Sequence, residues 1–208
     1  MPLSVALYIP NLLGYARIIS AFIALHFSTT HPQLAVGTWI FSASLDLIDG
    51  ILARVLNQCS SLGVLLDIVA DNVLRTTIWV AAGTTDQLRF IACVMISLEW
   101  CTMLSTQLHA AQSGNHWKLA RENDPWIVQA IFANNFRSPL GIWTIYGLFC
   151  AGLFAYMTPH KERFEMIPNF DIFKYLAYSG RILCSLVEIR LTLGYLGLVI
   201  EQDKKHAS

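Results

Sequence analysis

Apolar runs of membrane-crossing length recur along the chain, separated by polar links. A transmembrane helix takes about 20 mainly apolar residues. Runs of that kind cover roughly Pro10 to Ser28, Gln33 to Leu56, Leu62 to Ala82, Leu88 to Ala111, Pro139 to Met157 and Phe173 to Ile200. Thr29 to Pro32 and Gly83 to Gln87 read as tight turns, and Asn57 to Ser61 joins the second run to the third. Two longer polar stretches, Ser113 to Ser138 and Thr158 to Asp171, read as loops. The pattern predicts an all-α integral membrane protein of six transmembrane helices, one domain over residues 1–208.

Composition supports that reading. The chain is 55% hydrophobic and 13% charged, whereas a soluble domain carries about 25% charged residues. A soluble helical bundle is therefore disfavoured. A formal net charge of zero provides no field to draw nucleic acid. Five cysteines without a Cys-x-x-Cys pair suggest neither a disulfide framework nor a zinc ribbon. The first run lacks the pattern of a cleaved leader and reads as a retained span. With six spans, Arg54, Lys118, Arg121, Arg137, Lys204 and Lys205 share a side with both termini, against Arg89, Lys161 and Arg163 opposite. The positive-inside rule then turns the termini, and a polar cleft beside them, toward the cytosol.

The charges inside the apolar runs change the picture most. Asp46, Asp49 and Arg54 lie in the second run, and Asp67 and Asp71 in the third. At about 100° per residue, Asp46, Asp49, Gly50 and Ala53 share one helical face. Gly63, Asp67 and Asp71 follow one another at four-residue steps, drifting about 40° each time. Two adjacent antiparallel helices thus aim four carboxylates into one cleft, with small residues leaving room between them. Carboxylates are costly in an apolar helix unless a cation is held among them. An all-oxygen set without His or Cys suits Mg²⁺ or Mn²⁺, and a pair of such ions suits a phosphoryl group undergoing displacement. Arg54 is placed to add positive charge to a phosphate. Glu99 either lines a pocket or forms a structural pair, and Arg17 and Arg75 face the same choice.

The array Asp46-x-x-Asp49-Gly50-x-x-Ala53-Arg54, eight residues, then Gly63-x-x-x-Asp67-x-x-x-Asp71 resembles the signature of the CDP-alcohol phosphotransferase family at every specified position. The opening Ile9-Pro10-Asn11-Leu12-Leu13-Gly14-Tyr15-Ala16-Arg17-Ile18 and the run Ala53-Arg54-Val55-Leu56-Asn57-Gln58 look like the phosphatidylinositol synthase branch. Likeness in detail fades after about residue 80. Farther on, Asn115-His116-Trp117-Lys118 and Phe136-Arg137-Ser138-Pro139 resemble that branch's Ser-His-Lys and Ser-Arg-Pro.

The resemblance implies a six-helix membrane enzyme that displaces CMP from CDP-diacylglycerol with an acceptor hydroxyl. It implies that Asp46, Asp49, Asp67 and Asp71 bind two divalent ions, and that Asp71 is also the general base. Gly50, Arg54 and Ser60 would contact CDP-diacylglycerol; Lys118 and Arg137 would position the acceptor. The branch implies myo-inositol as acceptor, the endoplasmic reticulum as location, and a homodimer as a common state. Departures fall mainly in the acceptor half. Ser60-Ser61 stands where Thr-Arg is expected, Asn72 replaces a basic residue, and Thr102-Met103-Leu104 replaces Ser-His-Trp. Glycerol phosphate, serine or an inositol phosphate therefore stay open as acceptors, and so does a catalytically silent membrane scaffold.

Overall fold

The computed structural model describes residues 3–113 and 125–207. Every regular element among them is helical: α1 (Leu3–Ala6), α2 (Ile9–Phe27), α3 (Pro32–Val55), α4 (Ser61–Ala82), α5 (Asp86–Ser113), α6 (Trp126–Phe136), α7 (Pro139–Met157), a 3₁₀ segment (Thr158–Phe164) and α8 (Phe170–Ala207). Five helices, α2, α3, α5, α7 with its 3₁₀ extension, and α8, are long and apolar enough to cross a membrane. The remaining expected span, α4, has 22 residues, but Asp67, Asp71 and Arg75 dilute its apolar character.

The stretch from Ser113 to Ser138, read from sequence as one loop, contains α6. Eleven residues rise only about 16 Å at 1.5 Å each, so a search for spans passes over this helix despite its apolar sequence. In place of a second loop, residues 158–164 wind into the 3₁₀ segment. The last helix runs past both predicted ends and reaches 38 residues.

The chain divides into two compact units. One comprises Met1–Cys93 with Ala155–Ile167, and the other Val94–Phe154 with Pro168–Ser208. In the first, α2 turns Asn11, Gly14, Arg17, Ala21 and Ala24 inward at three- and four-residue steps, one stripe of an amphipathic helix. Small side chains on that stripe bring α4 close: a methyl at Gly14 would stand 3.2 Å from Leu66 Cβ. Buried Trp39 donates to Thr77 Oγ1 at 3.1 Å and meets Tyr156 edge-on, with ring centroids 5.1 Å apart. Tyr156 in turn donates to the Ser28 carbonyl at 2.6 Å. These bonds satisfy polar tips that would otherwise be costly inside an apolar core.

In the second unit, Gly147 of α7 and Gly180 of α8 are packed so closely that a Cβ on Gly147 would fall on the backbone of Gly180 and Arg181. Small residues permit such close helix crossings in membrane proteins. Beside the crossing, buried Arg181 binds Glu99 at 3.1 Å and Glu188 at 2.7 Å. Glu99, which the sequence leaves between a pocket and a structural pair, has an ion-pair partner from α8.

Candidate metal and phosphate site

The link between α3 and α4 fixes how the two acidic helices face each other. Helix α3 stops in a Schellman turn. Asn57 takes a left-handed backbone, φ 54°, its N–H donates to the Arg54 carbonyl at 3.3 Å, and Gln58 N–H donates to Ala53 at 2.9 Å. An asparagine tolerates this conformation better than most residues. Two residues on, Ser60 is the N-cap of α4, and its Oγ accepts from Gly63 N–H at 3.0 Å. Gln58 also accepts from Ile9 N–H at 3.0 Å, tying the start of α2 to the same link.

This frame brings the four aspartates onto one guanidinium. Nη1 of Arg17 lies 3.0 Å from Asp49 and 2.9 Å from Asp67; Nη2 lies 2.7 Å from Asp46 and 2.5 Å from Asp71. Arg17 is 1% exposed, while the Asp46 and Asp67 side chains are 39% and 52% exposed. Asp46 and Asp67 therefore stand at a rim reachable from outside, with the arginine beneath them. Arg75 approaches Asp71 from one turn farther along α4, at 3.6 Å. Ser42 accommodates the α2 backbone by donating to the Arg17 carbonyl at 3.0 Å.

Asp46, Asp49 and Asp67 can each offer one oxygen with all three within 4.8 Å of one another. Such an all-oxygen set fits a hard divalent ion, so the residues present suit the metal expected from the sequence. Beside the rim is a cavity of about 160 Å³ bounded by Asn11, Gly14, Asp49, Gly50, Ser60, Gly63 and Asp67, among others. Gly50 and Ser60 thus share one cavity with two of the aspartates. Arg54 is exposed, and its Nε donates to the Gly50 carbonyl at 2.9 Å. Arg137 caps the C-terminal end of α6 in the second unit. Lys118 lies outside the described residues.

Sequence reasoning missed two features here. It left Arg17 with a generic pairing role, although its spacing from Asn11 and Gly14 on an inward stripe was visible. It gave Asn11 no role, although this asparagine is 1% exposed and borders the cavity.

The family model for CDP-alcohol phosphatidyltransferases matches residues 7–155, a span that contains the whole carboxylate array. A CDP-diacylglycerol–inositol 3-phosphatidyltransferase of Schizosaccharomyces pombe is 26% identical over 183 residues, covering 80% of this chain and 73% of the relative. Its namesake in Saccharomyces cerevisiae is 37% identical over 103 residues, 49% of this chain and 41% of the relative. One from Arabidopsis thaliana is 30% identical over 136 residues, 64% of this chain and 59% of the relative. The chain thus spans less than two thirds of the length of the latter two. No solved structure matches. The carboxylate geometry and a family match across most of the chain lead to one conclusion: this protein belongs to the CDP-alcohol phosphatidyltransferase family.

Proposed function

We propose that the protein transfers the phosphatidyl group of CDP-diacylglycerol to myo-inositol, yielding phosphatidylinositol and CMP. The observation that carries this reading is the convergence of Asp46, Asp49, Asp67 and Asp71 on Arg17, within a family match whose relatives bear that activity in their names. Six spans, counting α4, a cleft open to the cytosol, and an endoplasmic reticulum membrane complete the proposal.

Charge supports the donor class. Four ionised carboxylates against the guanidiniums of Arg17 and Arg75 leave a formal charge of minus two. Two divalent ions would reverse that to plus two, which a diphosphate diester of charge minus two brings to zero. Asp46, Asp49, Asp67 and Asp71 would hold the ions, which when bound would supply charge neutralisation and orientation of the phosphate oxygens.

The chain's own groups then act as follows. Gly50 and Ser60 shape the cavity beside the diphosphate, and Arg54 adds positive charge at its rim. Asp71 accepts the proton of the inositol hydroxyl. The freed oxygen bonds to the lipid-side phosphorus as the bridge to the other phosphorus breaks, and CMP leaves with that bond's electrons. A positioned base of this kind contributes about 10²–10⁴-fold. Lys118 and Arg137 position the acceptor.

The test is an acceptor panel. Purified protein is incubated with CDP-diacylglycerol, Mn²⁺ or Mg²⁺, and inositol, glycerol phosphate, serine or inositol phosphate in turn, and CMP release is measured. Release with inositol alone is expected. Release with a different acceptor replaces inositol in the proposal, and release with none overturns it.

A further inference from the structure

We infer that Arg17 sets which divalent ion the aspartates accept. By taking one oxygen from each of the four carboxylates, it favours a small octahedral ion such as Mg²⁺ over the larger Ca²⁺. The inference rests on the metal reading proposed above and assigns ion selection to a residue that is not itself a ligand.

The guanidinium is matched to the carboxylates one to one. Such a group carries five N–H donors in a rigid fork, four of them on its two Nη atoms. Nη1 meets Oδ2 of Asp49 and Oδ1 of Asp67, while Nη2 meets Oδ1 of Asp46 and Oδ1 of Asp71. The fifth donor, on Nε, is buried without a hydrogen-bond partner. Among the described residues, the fork is thus spent on the aspartates.

Its mount is stiff. The Arg17 side chain is 1% exposed, and its backbone carbonyl accepts from Ser20 Oγ at 2.9 Å and from Ser42 Oγ at 3.0 Å. The guanidinium is therefore a fixed floor, from which Asp46 and Asp67 reach outward.

A carboxylate has two oxygens. One turned inward to Arg17 cannot join the other in gripping an ion that comes from outside. Mg²⁺ demands near-ideal octahedral geometry at about 2.0–2.1 Å, whereas Ca²⁺ takes about 6–8 oxygens at about 2.3–2.6 Å, including both oxygens of one carboxylate. Asp46, Asp49 and Asp67 can converge within 4.8 Å with one oxygen each, an offer that suits the smaller ion. Charge alone does not discriminate, because the guanidinium repels two ions of equal charge alike. Selection comes from the oxygens that Arg17 withholds.

The test is calorimetric titration of the full-length detergent-purified protein with Mg²⁺ and, separately, with Ca²⁺. The wild type should prefer Mg²⁺. Arg17→Met releases the withheld oxygens and should move the ratio of affinities toward Ca²⁺ by about 10–10²-fold, the usual weight of a group that orients metal ligands. Arg17→Lys keeps the charge but replaces the fork with one compact ammonium. It should move the ratio the same way by less, and it carries the test if the first variant does not fold. The rise in melting temperature that each ion produces reads the same ratio independently. An unchanged ratio in both variants overturns the inference: ions that tighten together make Arg17 only a charge, and ions that weaken together make it only a prop. A wild type without preference for Mg²⁺ overturns it as well. A wild type that binds neither ion overturns the metal reading and this inference together, while the acceptor panel decides the transfer reaction separately.

Discussion

Arg17 and Asp67 are 50 residues apart in the chain and 2.9 Å apart in space. The same guanidinium also reaches Asp46, Asp49 and Asp71. A buried cation beneath four carboxylates makes α2 an equal partner of the two signature helices, although it contributes no acidic residue to the site.

Replacing Arg17 by Met removes that cation and leaves Arg75 as the guanidinium beside Asp71. Losing one partner of a buried ion pair costs about 3–5 kcal/mol. Because Asp46 and Asp67 are partly exposed and solvent screens them, the expected loss is nearer about 2–3 kcal/mol. Thermal unfolding in detergent measures it. Added Mg²⁺ should recover part of the loss, since like charges then regain a cation.

Asp71→Asn tests the proposed base separately from binding. Turnover, followed as labelled inositol entering lipid, should fall about 10²–10⁴-fold. CMP affinity should change far less, since Asp46, Asp49 and Asp67 stay in place. A variant with full turnover would sink the base assignment.

Chelation with EDTA should abolish transfer, and either Mg²⁺ or Mn²⁺ should restore it. The melting temperature should rise on adding the ion back, because a ligand that binds only the folded state stabilises it. An unchanged melting curve would argue against metal at the aspartate cluster.

Two glycines should respond in opposite ways to the same change. Gly147→Ala forces a methyl into the α8 backbone, and overpacking of this kind costs about 1–3 kcal/mol or more. It also disturbs Arg181, which holds Glu99 and Glu188. Gly37→Ala meets nothing within 4 Å, and should stabilise its helix by about 0.5–1 kcal/mol. Parallel melting curves of the two variants check both expectations.

Cys59 is exposed and borders the cavity beside Ser60. A membrane-impermeant thiol reagent should label it, and bound CMP with Mg²⁺ should slow the labelling. Cys59→Ser identifies the labelled residue by mass spectrometry.

Much of this was legible in the sequence. Three- and four-residue spacing was enough to align Asp46 with Asp49 and Asp67 with Asp71, because helical period depends only on backbone geometry. The partners of those faces were less accessible. Nothing local distinguishes Arg17, which serves four carboxylates, from Arg75, which stands beside Asp71. Glu99 was recognisable as a charge needing company, yet its partner Arg181 lies 82 residues away. Helix α6 was not legible because its 11 residues are too few to span a membrane and sit in a stretch that also holds Lys118, Arg121, Asp124 and Arg137. The contact between Gly147 and Gly180 depends on how two helices cross, which periodicity along either one does not encode.

The turn from Asn57 to Ser60 acts as a ruler. A Schellman stop, one intervening residue and a serine cap leave little slack between Arg54 and Gly63. Inserting one residue after Gly63 would rotate everything beyond it by about 100°, carrying Asp67 and Asp71 away from Arg17 while each amino acid of the motif survived. The interval is therefore as much a part of the site's chemistry as its carboxylates: it sets their phase.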